Sequence, residues 1–178
     1  MALIGRKLGA ALRTGVIHLP LAQAREIATN DIIDAAGIGG ILSKDSTPIL
    51  ERINGATDKA LQIKWAASNS DEIQWQVHLP LDVDKTSPLY VKLKAKMAGA
   101  TDTPTIAVAF FKGIGDSNAG GATAALSATA ATVQRKIAAA DHGGEGAATV
   151  TLIPGAHTTD ALHLYDVWIE YTRKLDTV

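Results

Sequence analysis

Hydrophobic and polar positions alternate along most of this chain with a period of two, the spacing at which successive side chains point to opposite faces of a strand. In residues 61–65, Leu61, Ile63 and Trp65 share one face while Gln62 and Lys64 share the other. Residues 73–79 repeat the pattern with Ile73, Trp75, Val77 and Leu79 inward, and residues 89–97 repeat it with Lys92, Lys94 and Lys96 on the wet face. A helix would scatter those lysines around its circumference, whereas a strand sets them in a row. Further strands are predicted at 15–19, 26–33, 49–53, 105–112, 132–138, 148–153 and 162–172. The last is ambiguous: Tyr165, Val167, Ile169 and Tyr171 line one face, but Leu162, Leu164 and Trp168 lie on the other. It is either buried on both sides or bulged near Asp166.

The connectors are turn material, as at 68–71, 113–121 and 141–146. Pro48, Pro88 and Pro104 stand at or just before strand starts and Pro80 follows a strand end, where a missing N–H matters least. The Ala/Gly/Thr-rich stretch 119–131 has no apolar stripe to hold a helix down, so it reads as a long loop with an extended edge that packs closely on a neighbour. Eight to ten short strands without an amphipathic helix predict an all-β chain, an antiparallel β-sandwich of the eight-stranded, jelly-roll-like kind with an extended N-terminal segment. Residues 1–25 contain Arg6, Lys7, Arg13 and Arg25 and no acidic residue. They are set apart as a basic N-terminal arm, and 26–178 as a single β-sandwich domain. Two readings of the arm stand: a frayed terminus, or a segment that docks on a partner.

At 178 residues the chain has the length of one domain. With 17 Lys and Arg against 18 Asp and Glu its net charge is -1, which argues against a dedicated nucleic-acid or anionic-membrane binder, since both rely on a basic excess. The absence of cysteine removes disulfides, thiolate metal sites and cysteine nucleophiles. Apolar residues at the start are cut by Arg6, Lys7 and Arg13, so no secretion signal is predicted, and no apolar run reaches the roughly 18–20 residues of a membrane-spanning helix. Aromatics are only 4% of the chain, so its core must be built mainly from aliphatic residues and alanine.

The candidate chemistry is sparse. Thr57-Asp58, Thr101-Asp102 and Thr159-Asp160 each precede a strand; converging turns of this kind suit Ca²⁺, while the simpler reading is that the side chains cap turns by accepting backbone N–H groups. The five histidines read as surface or half-buried, with His78 and His163 facing outward rather than lining a metal-binding jelly-roll pocket. Asp82 with Asp84, and Asp71 with Glu72, sit in polar turns that predict solvation, and no Gly-x-Ser-x-Gly elbow exists. No catalytic constellation, cofactor site or metal site is therefore predicted, and the chain reads as a non-enzyme. Partner binding, if it is electrostatic, falls to Arg6, Lys7, Arg13 and Arg25 and to the row Lys92, Lys94 and Lys96. The row reads equally as an edge or wet face guarded against aggregation. For sugar recognition, which stacks a ring on an exposed aromatic, Trp65 and Trp75 fall on core faces and Trp168 is the better candidate.

Several stretches taken together, 53–61 leading into Lys64, Trp65 and Ala66, then 101–105, 115–120 and 154–162 running to 168–171, resemble a family of small virion structural proteins of tailed bacteriophages. The resemblance spans about residues 45–174. It implies a capsid decoration or cement protein: non-enzymatic, without cofactor, bound through many symmetric copies to the major capsid protein on the virion exterior, and made in the host cytoplasm. A homo-oligomer is expected, a trimer before a dimer, without direct contact to nucleic acid or membrane. Contact between protomers would then account for the excess apolar side chains on the final strand. The alternative placement in such a virion is a tail- or fibre-associated sandwich that binds host-surface carbohydrate.

Overall fold

The structure, a computed structural model, describes residues 13–27, 48–53, 60–113 and 119–174. Eleven strands occur among these residues: β1 (Thr14–His18), β2 (Arg25–Ile27), β3 (Ile49–Arg52), β4 (Leu61–Trp65), β5 (Glu72–Leu79), β6 (Leu89–Met97), β7 (Ile106–Lys112), β8 (Ala119–Ala122), β9 (Ala131–Ile137), β10 (Gly146–Pro154) and β11 (Leu162–Thr172). A 3-10 turn (Leu21–Gln23) and one turn of helix, α1 (Ala139–His142), complete the elements. The larger sheet runs β3-β4-β11-β6-β9 with β1 also paired to β11, and the smaller runs β2-β5-β10-β7-β8. Every pairing is antiparallel. From β4 to β7, and again from β8 to β11, each connection crosses between the sheets, so the chain builds a jelly-roll-like sandwich rather than a meander.

Outside β11, and apart from Leu61, which is half exposed while Gln62 is buried, the inward faces are those the alternation predicts. Ile63, Trp65, Ile73, Trp75, Val91, Leu93, Phe110, Val150 and Leu152 are all buried between the sheets. The indole N–H groups of Trp65 and Trp75 do not go unsatisfied there: they donate to the carbonyls of Asp71 at 2.8 Å and Pro20 at 2.9 Å. No helix among the described residues is long and apolar enough to cross a membrane.

The ambiguity of the last strand resolves into a bulge. Leu164 faces Ala95 and Asp166 faces Lys94, which leaves Tyr165 as the extra residue. That single insertion resets the alternation, so that Leu162, Leu164, Val167, Ile169 and Tyr171 all point inward and Trp168 points out. The apolar excess on β11 is therefore core, not protomer interface. Trp168 and Tyr165 take the outer face instead, reversing Tyr165 relative to the simple alternation.

Other expectations shift. Residues 14–24 belong to the sandwich and not to an arm: β1 pairs with β11 over five residues, and Leu19 and Ala24 are buried in the core. The boundary expected at residue 25 was drawn on charge, which does not report pairing. Arg6 and Lys7, the rest of the extended N-terminal segment, and the part of the 26–33 strand beyond Ile27 lie outside the described residues. The connector expected at 113–121 ends in strand, because Ala119–Ala122 pair with β7 as β8. There the extended edge of small residues packs as expected, with Gly120 directly over the Val108 carbonyl. The turn expected at 141–146 opens with α1, ended by Gly143 in the left-handed region at φ 58°.

Candidate functional site

Cross-strand register arranges the outer face of the larger sheet into rows. One crosses four strands as His18, Trp168, Lys92 and Gln134; the next carries Val16, Glu170, Tyr90 and Lys136. On the other side of Trp168 lie Asp166, Lys94 and Thr132, and then Lys64, His163 and Lys96. Trp168 stands near the middle of this surface, partly exposed, with Tyr90 and Tyr165 partly exposed nearby on the same face. Unlike Trp65 and Trp75, Trp168 donates its indole N–H to no acceptor among the described residues.

The polar side chains around the indole fall into two groups. Lys92 Nζ lies 2.7 Å from Glu170 Oε2, and Lys64 lies 3.9 Å from Glu51, whose Oε1 also accepts from Gln62 Nε2 at 2.7 Å. Lys94, Lys96 and Lys136 form no ion pair among the described residues. His163 sits against Tyr165, ring edge to ring face at 6.4 Å between centroids. Burial, and then the charges of Lys96 and Lys64, lower its pKa below the ordinary value of 6.5, so the neutral ring is favoured.

The residues predicted to meet a partner do not form one patch. Lys92, Lys94 and Lys96 share the outer face as expected, but β6 is flanked by β11 and β9, so they guard no edge. Arg25 lies on β2 in register with Gln74, at the edge of the opposite sheet. Arg13 is exposed at the far end of β1, beside Thr172, Arg173 and Lys174.

The Thr-Asp repeats prove to be caps with a longer reach than local turn chemistry. Asp160 Oδ2 accepts the N–H groups of Thr101 at 2.7 Å and Asp102 at 3.0 Å, while Asp102 Oδ2 accepts those of Thr159 at 2.7 Å and Asp160 at 2.8 Å. The third repeat, at Asp58, lies outside the described residues. No group of three or more metal-ligating side chains occurs among the described residues. Two histidines depart from the expectation of surface or half-buried positions. His142 is fully buried, its Nε2–H donating to the Ser87 carbonyl at 2.8 Å and its Nδ1 accepting from Gly144 N–H at 3.1 Å. Both ring nitrogens of buried His157 face carbonyls, of Gly155 at 2.9 Å and Ala66 at 3.1 Å. Each replaces backbone partners that a turn leaves without one, a role invisible in spacing. Asp84 is solvated as expected, its pKa lowered chiefly by the Thr86 N–H and then by the Thr86 and Ser87 hydroxyls.

The outer face of the smaller sheet is different in kind. Its central rows carry Gln74, Thr151 and Ala109, then Gln76, Thr149 and Phe111, with Phe111 the one aromatic. An open depression of about 440 Å³ lies at one end, lined by Gln76, Val77, Gly113, Ala147, Ala148 and Thr149. It offers few groups that orient a ligand.

Neither family models nor curated protein sequences give a match to this chain. Solved structures do, at the level of the fold. The chain is similar to the xylan-binding module CBM15, with a TM-score of 0.52 at 9% identity over 91% of this chain and 99% of that one. It is similar to the family 30 carbohydrate-binding module of the cellulosomal cellulase Cel9D-Cel44B of Clostridium thermocellum, with a TM-score of 0.50 at 8% identity over 92% and 99%. The CBM22-1-GH10 modules of endo-1,4-beta-D-xylanase 10B from Clostridium thermocellum, complexed with xylohexaose, match with a TM-score of 0.50 at 14% identity. That match covers 91% of this chain and 29% of the longer one. At identities this low the similarity shows the fold alone, a jelly-roll sandwich.

Proposed function

We propose that this chain is a non-catalytic, carbohydrate-binding β-sandwich domain that takes a glycan on the outer face of its larger sheet. One observation carries the reading: Trp168 is displayed on that face, its indole N–H bonded to none of the described residues, among side chains able to hydrogen-bond hydroxyls. A pyranose presents an apolar C–H face that stacks on an aromatic ring and a rim of hydroxyls that needs donors and acceptors. His18, Lys92, Gln134, Asp166 and Glu170 surround the indole and supply both kinds. The carbohydrate-binding names of the similar folds support the reading without carrying it. If the resemblance to virion proteins holds, the alternative it allows, a tail- or fibre-associated domain with a host-surface glycan as its target, suits this reading.

The test is a glycan array followed by titration calorimetry on the best soluble hit, with Trp168→Ala beside the unmodified chain. Trp168→Ala should bind at least tenfold more weakly, about 1.4 kcal/mol, while its melting midpoint stays near that of the parent because the ring is not core. Silence of the array, or unchanged affinity in Trp168→Ala, would overturn the reading.

A capsid decoration role is the second reading, and it rests on the sequence resemblance. Two of the resembling stretches, 101–105 and 154–162, contain the reciprocal Asp102 and Asp160 caps, so part of the likeness reflects folding rather than a partner surface. Co-sedimentation with undecorated shells, and copy number in purified virions, separate the two: hundreds of copies favour the shell and a handful the tail.

A further inference from the structure

We infer that the glycan taken by this face is an anionic one, carrying carboxylate, sulfate or phosphate groups. This rests on the proposed carbohydrate reading and adds the ligand's charge to it. Of the ionisable groups in the rows around Trp168, Lys92 is neutralised by Glu170 and Lys64 is partnered by Glu51. Among the described residues that leaves Lys94, Lys96 and Lys136 against Asp166, and Asp166, although in register with Lys94, makes no ion pair with it. The face thus carries a positive excess on a chain whose net charge is -1.

Geometry makes that excess useful. Lys94 and Lys96 are two apart on one strand, about 6.7 Å along it, which is inside the screening length of roughly 8 Å at physiological ionic strength. Their fields therefore overlap and reach a ligand lying on the indole. Lys136, exposed on β9 opposite Tyr90, supports the same potential from the other side of the Trp168 row. His163, on the row of Lys64 and Lys96, has its pKa lowered first by burial and then by those two lysines. Fixed cations beside an aromatic platform suit a polymer whose rings stack while its acidic substituents meet ammonium groups. On the smaller sheet's outer face the central rows hold one cation among the described residues, Arg25 at the edge in register with Gln74.

The experiment compares matched pairs on the full chain by calorimetry at low and at physiological salt: polygalacturonate against its methyl ester, a sulfated galactan against its desulfated form, and a phosphodiester-linked glycan against its dephosphorylated repeat unit. The expected result is that the acidic member of at least one pair binds tenfold or more tightly, that the gap narrows as salt rises, and that the pair showing it identifies the anion. The triple variant Lys94→Gln, Lys96→Gln, Lys136→Gln should close the gap with an unchanged melting midpoint. Equal binding within every pair, or preference for the neutral members with loss in Trp168→Ala, overturns the anionic inference and leaves the carbohydrate reading standing. Binding of duplex DNA as tight as the acidic glycans and indifferent to Trp168→Ala overturns the inference in favour of a general polyanion surface. Absence of binding to every glycan overturns both.

Discussion

Asp102 and Asp160 hold the loop after β6 and the loop after β10 together by exchanging carboxylate caps, four N–H groups onto two oxygens. Hydrogen bonds from the Asp160 and then the Thr159 N–H hold the Asp102 carboxyl below its ordinary value of 3.8. Because the folded-state pKa is the lower one, the unfolded chain binds the proton first as pH falls. The clasp therefore contributes fully above about pH 4 and is lost as pH drops through the folded value. Asp102→Asn should lower the melting midpoint at neutral pH and flatten its decline between about pH 5 and pH 2. Melting curves across that range check this, and parallel acid limbs in parent and variant would count against it. The Thr-Asp turns were legible as caps from residue type alone, but their partners were not: a carboxylate's preference for backbone N–H is local chemistry, whereas which N–H it finds depends on loops 58 residues apart in sequence. Gly15 shows the same division. Its Cα faces the Tyr171 ring so closely that an added Cβ would lie 2.1 Å from Cζ, a constraint that nothing in its neighbours along the chain announces.

Within β11, one extra residue decides which side chains fill the core and which face outward. Register on β6 is regular on both sides of Tyr165, so removing that residue would leave Leu162, Leu164, Val167, Ile169 and Tyr171 on the inner face of a straight strand. Deletion of Tyr165 should therefore give a chain that still unfolds cooperatively. Insertion of an alanine between Trp168 and Ile169 should not, since it turns Ile169 and Tyr171 to the outside and shifts the pairing of β1 on one side. Denaturant unfolding with chemical-shift dispersion distinguishes them, and equal tolerance of both changes would show that the bulge does not set the faces. Alternation exposed the conflict in this strand and offered a bulge as one of two solutions. Only the pairing with β6 places the extra residue at Tyr165, because a bulge is a mismatch between two strands and not a property of one.

Across the whole sandwich the edges of the two sheets meet at β8 and β9, and Arg135 closes that seam. It has inward parity on β9 and donates from Nη2 to the Gly120 carbonyl at 2.7 Å, while its buried Nε has no partner among the described residues. Gly121, at φ 143°, lies under the guanidinium, where a Cβ would come within 2.7 Å of Cζ. A partly buried cation with one buried N–H unsatisfied is a weak source of stability. Arg135→Met, which keeps the volume and removes the unsatisfied N–H, should leave stability within about 1 kcal/mol of the parent or raise it, whereas Arg135→Ala should lower it by opening the seam. Chemical denaturation of both variants is the measurement, and a loss in Arg135→Met as large as in Arg135→Ala would show that the hydrogen bond, not the filling, matters. The basic arm illustrates the limit of reading composition at this scale, since charge set residues 14–24 apart while backbone pairing joins them to β11. The sequence by itself determined most of the strands, their inward faces outside β11, the aliphatic core and Trp168 as the aromatic to watch, because alternation and side-chain chemistry belong to each segment alone. The tertiary structure decided the two sheets, the bulge, the reciprocal caps and the setting of Trp168 beside unpaired lysines, because each of these is a contact between segments that the chain brings together only on folding.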